Sequence, residues 1–585
     1  MFQGETSVRF FRKYVHKYWK MFTVALLFLT LEAMADLSLP TIMARIIDEG
    51  VAYKRMDVVI RLGGIMLLVT ALGAVGASAR NVISSHVSQR FGAELRSDLF
   101  RKIQSLAIEH IDKFERASLI TRLTNDVTQV QNFTNGMMRI FAKAPLIGIG
   151  SLIMAVRLDT GLASVLAVVV PVVALLIALN IRIGFPRFMK VQEALDQVNR
   201  AIREYLSGVR VVKSFNRFDY EAEKFDAANK TLMERSIRVM RVTSLFNPAI
   251  MLTVNFGIIA VLWFGGLWVN EGRLQVGVIV AFINYMTQIL FSLMMISMVF
   301  NMFVRAKASA VRIGEVFAQE NRMTWEDGHA EHSGERGGIK FINVSFSYDG
   351  AAGRPALKNI TFSCKPGETV GIIGSTGSGK STLVSLIPRF YDATSGVVKV
   401  NGVDVKRVDP KKLREKIAIV PQKSVLFTGT ILENIRWGNE SATREEVERA
   451  ARLAEAHEFI SALPEGYDSR LGQRGVNLSG GQKQRISIAR ALVRNPEILI
   501  LDDCTSAVDV VTEAKIKESL KRYARGLTCL MIAQRITSVM DADKIIVMDD
   551  GEIVGIGDHA TLLKHCRVYQ EIYHSQIGME VRTNG

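Results

Sequence analysis

The chain has 585 residues, which is too many for one hydrophobic core, so two or more domains are expected. At 49% apolar and 22% charged residues it is unusually apolar for a soluble protein of this size, and the apolar material must be concentrated somewhere. A net charge of +16 suits either nucleic acid or the basic cytoplasmic faces of a membrane protein; the long apolar runs favour the second, and no nucleic-acid partner is expected. Four cysteines, Cys364, Cys504, Cys529 and Cys566, all fall in the second half and in no metal-ligand spacing, which fits a reducing compartment.

The first twenty residues are basic and aromatic, lack a small-residue cleavage site, and read as an interfacial helix leading into a membrane. Six apolar segments follow, at Met21–Ile47, Ile60–Ser84, Ile140–Val156, Leu162–Ile181, Phe246–Val269 and Val276–Val304. Each supplies the roughly 20 apolar residues that a spanning helix needs. The third is the least regular, with Lys143 and Pro145 near its start. The connections after the second and fourth segments are long, helical in period and rich in Arg and Lys, among them Arg90, Arg96, Arg101, Arg200 and Arg203. Their charge places both long connections and both termini on the cytoplasmic side of the cell membrane. Each is expected to extend the membrane helices and to turn back through a short transverse helix, near Asp112–Ile120 and Phe215–Phe225.

A polar stretch from Glu320 to Gly338 has no apolar period and reads as a linker. The expected domains are therefore 1–318, a linker at 319–338, and 339–585. In the last, short β-like runs at Ile339–Ser347, Val370–Ile373, Ile498–Leu501, Thr528–Ile532 and Lys544–Met548 alternate with helical stretches, the pattern of an α/β domain.

Within it, Gly374, Ser375, Thr376, Gly377, Ser378, Gly379, Lys380 and Ser381 match GxxxxGK[ST] between an apolar strand and an apolar helix beginning at Thr382. Glycines let backbone N–H groups wrap phosphates, Lys380 reaches them, and Ser381 is placed to ligate magnesium. The acidic strand end at Asp502 suits a second magnesium ligand. The next position, Asp503, is where a base would orient the attacking water. Aspartate falls short of glutamate there by about 1.5 Å, and a misplacement of about 1 Å can cost on the order of 100-fold in rate.

Some twenty residues before that strand, Leu478-Ser479-Gly480-Gly481-Gln482 opens a helix. With the loop at 374–381 and the strand ending in Asp502, it makes the chain resemble an ATP-binding cassette (ABC) transporter half over essentially its whole length. The fold implied is an α-helical six-helix transmembrane domain of the type I/IV exporter kind followed by an α/β P-loop nucleotide-binding domain, with ATP and Mg2+ as cofactors. In that family the signature motif, here Ser479, Gly480, Gly481 and Gln482, contacts ATP held by the opposing subunit. Tyr348 stands where an aromatic stacks on adenine, Gln422 where a glutamine contacts magnesium, and Asp509 in the D-loop segment starting at Ser506. The stretch Leu426–Ile435 is similar to the one that follows that glutamine in exporters.

Three positions depart from the family pattern. Asp503 replaces the catalytic glutamate, Gln534 replaces the switch histidine, and Gln473 replaces a glutamate before the signature. Glutamine forms hydrogen bonds but cannot carry histidine's charge. The first two changes strike one hydrolytic centre. They imply a degenerate ATP site on this chain and an intact signature that completes the site of a second half-transporter subunit, one carrying the glutamate and histidine.

In the membrane segments, Glu32 and Asp36 lie one turn apart on one helix face. Ionisable groups at membrane depth are costly and are candidates for drawing a cationic substrate, for facing water near a helix end, or for pairing with a basic residue of a neighbouring helix. Met286, Met294, Met295, Met298 and Met302 with Phe291 and Phe300 suit a permissive apolar cavity or plain helix packing. The function expected is multidrug-type efflux of small hydrophobic or cationic compounds across the lipid bilayer. Export of a peptide or lipid, or an ATP-gated regulatory subunit, are the alternatives.

Overall fold

The computed structural model describes residues 10–319, 323, 336–348, 353–504, 506, 508–523 and 526–583. Most of the expected linker, 319–338, lies outside them. The chain forms two compact units: Met1–Gln104 with Arg116–Gln319, and Ser105–Glu115 with Glu320–Gly585.

Among the described residues, six helices are long and apolar enough to cross a membrane: Phe11–Val51, Met56–Ser105, Arg116–Leu158, Thr160–Ser207, Phe218–Asn270 and Val276–Ala318. Each expected apolar segment lies within one of them, in order. The lengths show what the charged connections become. Met56–Ser105 has 50 residues and so runs about 75 Å, well beyond a hydrocarbon core of about 30 Å. Two connections are very short. Asp159 alone separates the third and fourth spans, its carboxylate accepting from Leu162 N at 2.7 Å as an N-cap. Gly272, at φ +73°, turns the chain after the fifth.

The transverse helices lie a few residues earlier than expected. The first is Ile108–Lys113, bounded by extended backbone at Ala107 and Phe114. The second is Val209–Ser214, bounded by Gly208 and by Asn216 at φ +51°. Ala107 and Phe114 are not turn residues by composition, whereas Gly208 and Asn216 are. The first helix belongs to the second unit.

In the second unit, a six-stranded sheet runs in the order Glu552–Gly557, Lys544–Asp549, Thr369–Gly374, Thr528–Ile532, Ile498–Asp502, Ile417–Val420. All its pairings are parallel except that of the Glu552–Gly557 edge. Successive side chains of a strand point to opposite faces. Ile498 and Ile500 accordingly pack with Val370, Ile372 and Leu383, while Leu499 and Leu501 pack with Ile486, Ile488 and Cys529. Burial on both faces explains why ILIL is continuous rather than alternating. The unit also holds a four-stranded antiparallel sheet, Leu357–Cys364, Ile339–Phe346, Ser395–Val400 and Val403–Asp404, and a two-stranded one, Gly429–Thr430 with Arg470–Leu471. All four cysteines are buried and free.

Candidate functional site

Strand Thr369–Gly374 ends in the glycine loop, and helix Lys380–Ser385 begins directly after it. A Cβ on Gly374 would stand 2.0 Å from Met548 O, so only glycine allows that close strand approach. Gly379 holds φ +94°, and a Cβ there would stand 2.8 Å from Ala356 O and 2.9 Å from Leu357 Cδ2. Gly379→Ala is therefore expected to weaken ATP binding by at least about tenfold, since a left-handed backbone alone costs an alanine roughly 1–2 kcal/mol. Titration with a fluorescent ATP analogue measures it, and an unchanged affinity would show that the loop geometry does not set binding.

Lys380 Nζ donates to Gly374 O (2.8 Å), Ser375 O (2.6 Å) and Ser378 Oγ (3.4 Å). Burial lowers its pKa, against the opposing pull of Asp503 and Asp502. Ser381 Oγ donates to Asp502 Oδ1 at 2.9 Å, and burial raises the pKa of Asp502 in spite of that bond. Among the described residues no group of three or more His, Cys, Asp or Glu side chains could hold a metal. The donor set fits magnesium arriving with phosphates, which keeps water and phosphate ligands and needs few from protein. Ser381 and Asp502 would hold it, and it would neutralise phosphate charge.

The acidic pair continues into an unusual arrangement. Asp503 is buried and sits at φ +47°, a conformation that aspartate tolerates better than most residues. Its Oδ2 accepts from Gln422 Nε2 at 3.1 Å and from Gln534 Nε2 at 2.9 Å. The three residues named separately from the sequence thus meet at a single oxygen. Gln576, in helix Arg567–Thr583, fixes the Gln534 loop from behind: its Nε2 donates to Gln534 O at 2.8 Å, and its Oε1 accepts from Ile536 N at 2.7 Å. No motif marks Gln576.

Ser479 caps helix Gly480–Leu492 in a reciprocal box with Gln482: Ser479 Oγ accepts from Gln482 N at 3.3 Å, and Gln482 Oε1 accepts from Ser479 N at 2.9 Å. Ser479 and Gly480 are exposed, Gly481 half so, at an N-terminus suited to an anion. Arg490, its pKa lowered by burial to about 10, ties this helix to the exporter-like stretch through Asn434 O, Asn434 Oδ1 and Val425 O. Asp509 Oδ1 accepts from Thr512 N at 2.9 Å, and hydrogen bonding to Thr512 lowers its pKa. Tyr348 is half-exposed, its hydroxyl 3.0 Å from Thr382 Oγ1.

In the membrane unit, the structure shows the pairing that was one of three readings for Glu32 and Asp36. Glu32 is buried, with Oε2 2.9 Å from Arg80 Nε and Oε1 2.5 Å from Lys143 Nζ. Asp36 Oδ2 lies 3.0 Å from the same Lys143 Nζ. Two carboxylates face two cations, so Glu32 offers no free charge to a substrate. Asp36 and Lys143 border a cavity of about 380 Å3 lined also by Met43, Met66, Phe291 and Met295. Asn284 and Gln288 line it too, and each donates to a helix carbonyl, of Val280 and Asp36 respectively.

The model of the ABC transporter transmembrane region matches residues 22–294, and that of the ABC transporter domain matches residues 357–506. The Bacillus subtilis ABC transporter ATP-binding protein YfiB is 42% identical over 557 residues, covering 95% of this chain and 96% of the relative. Rv1273c of Mycobacterium tuberculosis, another ABC transporter ATP-binding protein, is 38% identical over 569 residues, covering 97% of each. A third relative from B. subtilis, named "Putative multidrug export ATP-binding/permease protein YgaD", is 32% identical over 97% of this chain and 98% of its own. Among solved structures, that of a bacterial Atm1-family ABC exporter with ATP bound superposes with a TM-score of 0.78 at 26% identity, over 95% of this chain and 98% of the other.

Proposed function

The chain belongs to the ABC transporter family as an exporter half, and we propose that it serves as the degenerate-site subunit of a heterodimer. On this reading it holds ATP on its own P-loop face with little hydrolysis, and its Ser479–Gln482 signature completes the hydrolytic site of a partner that carries glutamate and histidine. One observation carries the reading: Asp503 Oδ2 receives two amide donors, from Gln422 and Gln534. A general base must reach water and accept its proton; these two N–H bonds take up Oδ2 and pin a carboxylate that is already about 1.5 Å shorter than glutamate, leaving only Oδ1 to accept. Magnesium and ATP phosphates would be held by Ser381, Asp502 and Lys380, and Gln422 keeps its Oε1 for the metal. On this reading the nucleotide-binding unit and both termini lie in the cytoplasm, the side that the basic connections favour.

The transported class we propose is hydrophobic compounds of the multidrug type. A methionine- and phenylalanine-lined cavity adapts to many shapes, and one relative's name points the same way. With Glu32 buried in its ion pairs, any charge selection falls to the half-exposed Asp36–Lys143 pair at the cavity wall.

The test is ATP turnover by the purified chain in lipid nanodiscs, alone and mixed with a half-transporter bearing glutamate and histidine at the two positions. The chain alone should be nearly inactive, and the mixture active only while the Ser479–Gln482 signature is intact. Turnover by the chain alone on the order of 1 s⁻¹ or faster, the low end of ordinary enzymes, would overturn the degenerate-site reading.

A further inference from the structure

Tyr391 lies just beyond the P-loop helix and carries no motif. Its hydroxyl donates to Asp112 Oδ2 at 2.7 Å. Its ring meets Tyr348 edge to face at 5.4 Å and 85°, and Phe346 at 5.6 Å. Phe346 in turn meets Tyr348 at 4.9 Å and 81°. Every pair in this three-ring cluster is in contact, within the range where aromatic pairs attract through their quadrupoles. Phe346 is buried and Tyr391 half-buried, whereas Tyr348 keeps half of its surface open. The Tyr348 ring is therefore braced on one side and free on the other, and its tip is fixed by the hydroxyl contact with Thr382 at 3.0 Å. Burial, with help from Asp112, holds the Tyr391 pKa well above its ordinary value, so the phenol stays a donor at physiological pH.

Asp112 belongs to the short helix Ile108–Lys113, which packs with the nucleotide-binding unit and which the second span reaches through Leu106 and Ala107. One hydrogen bond and one ring contact therefore separate that helix from the ring expected to stack on adenine.

We infer that Tyr391 is a positioning residue: its ring sets the plane of the Tyr348 platform, and its hydroxyl ties that platform to Asp112 on the transverse helix. The inference rests on the reading of Tyr348 as the adenine platform. A platform held in place before the base arrives loses less freedom on binding, so removing the brace weakens the base's share of affinity and leaves the phosphates' share intact. By linkage, a base that fixes Tyr348 also steadies the helix bearing Asp112.

Two measurements on the full chain in nanodiscs test this. In the first, ATP and inorganic tripolyphosphate, which has no base, are titrated by competition against a fluorescent ATP analogue. Tyr391→Leu should weaken ATP by roughly 3- to 10-fold, the worth of an aromatic pair, with tripolyphosphate unchanged; Tyr391→Phe, which keeps the ring, should restore most of the loss. Equal weakening of ATP and tripolyphosphate would mean that the substitution merely damages the P-loop, and would overturn the inference. The second measurement is amide hydrogen exchange over residues 108–113. ATP, but not tripolyphosphate, should slow exchange there in the unmodified chain, and the slowing should vanish in both Tyr391→Phe and Asp112→Ala. Protection that survives in either variant, or that tripolyphosphate reproduces, sinks the link. Tyr348→Ala separates the two levels. If it leaves the preference for ATP over tripolyphosphate untouched, the platform reading itself is wrong and the inference goes with it. If Tyr348→Ala abolishes the preference while Tyr391→Leu does not, only the role of Tyr391 fails.

Discussion

Asp503→Glu combined with Gln534→His will raise the ATP turnover of the isolated chain by at least about tenfold, while either change alone will give less than about threefold. The first estimate follows from what a positioned general base contributes, on the order of 10²–10⁴-fold, discounted for a site that has not been shaped around it. The second follows from the geometry. Glutamate alone at 503 must push its longer side chain into the place where the Gln422 and Gln534 amides now meet the carboxylate, and must do so from φ +47°. Its carboxylate would still be met by the Gln534 amide. Histidine alone at 534 removes one of the two donors but leaves a base about 1.5 Å short. The two substitutions act on one oxygen, so their effects should be strongly non-additive. Phosphate release by purified variants measures all four corners of the cycle. Asp503→Glu alone matching the double variant would show that side-chain length is the whole defect and that the Gln534 contact is incidental.

How much of this was legible in the sequence differs from feature to feature. The glycine loop, Ser381, Asp502 and the Ser479 cap are local in sequence: their geometry is set by residues within a turn or a strand end, and the spacing reveals them. Six spans were legible because about 20 apolar residues leave few alternatives. The pairings were not. Glu32 meets Arg80 and Lys143 across helix surfaces, 48 and 111 positions away, and Tyr391 meets Asp112 across 279. Nothing in the residue types selects those partners from the many basic and acidic side chains available. The meeting of Gln422, Asp503 and Gln534 lies between these cases. Each was marked by its motif, but their sharing of one oxygen depends on the sheet order, which places Ile498–Asp502 next to Thr528–Ile532. The first transverse helix was misplaced because Ala107 and Phe114, which bound it, are not turn residues by composition.

Glu32→Gln is expected to destabilise the membrane unit far more than Asp36→Asn, although the two carboxylates lie one turn apart and share Lys143. The side chains of Glu32 and Arg80 are each 8% exposed, whereas that of Asp36 is 39% exposed. Removing one charge of a buried pair leaves its partner's charge poorly compensated and costs about 3–5 kcal/mol in comparable sites. Arg80 would retain its bond to Arg139 O at 2.9 Å, a neutral acceptor that satisfies a proton but not a charge. An exposed pair is worth about 0–1 kcal/mol, and Lys143 keeps Glu32 when Asp36 is lost. Thermal unfolding of the chain in detergent should therefore fall steeply for Glu32→Gln and barely for Asp36→Asn. The double variant Glu32→Gln with Arg80→Gln should recover much of the loss, because it removes the uncompensated cation along with its partner. Transport should sort the other way: Asp36→Asn, at the cavity wall, should change the preference between cationic and neutral dyes. Equal destabilisation by the two single variants, or a double variant no better than Glu32→Gln, would place the cost of Glu32→Gln elsewhere than in the Arg80 pair.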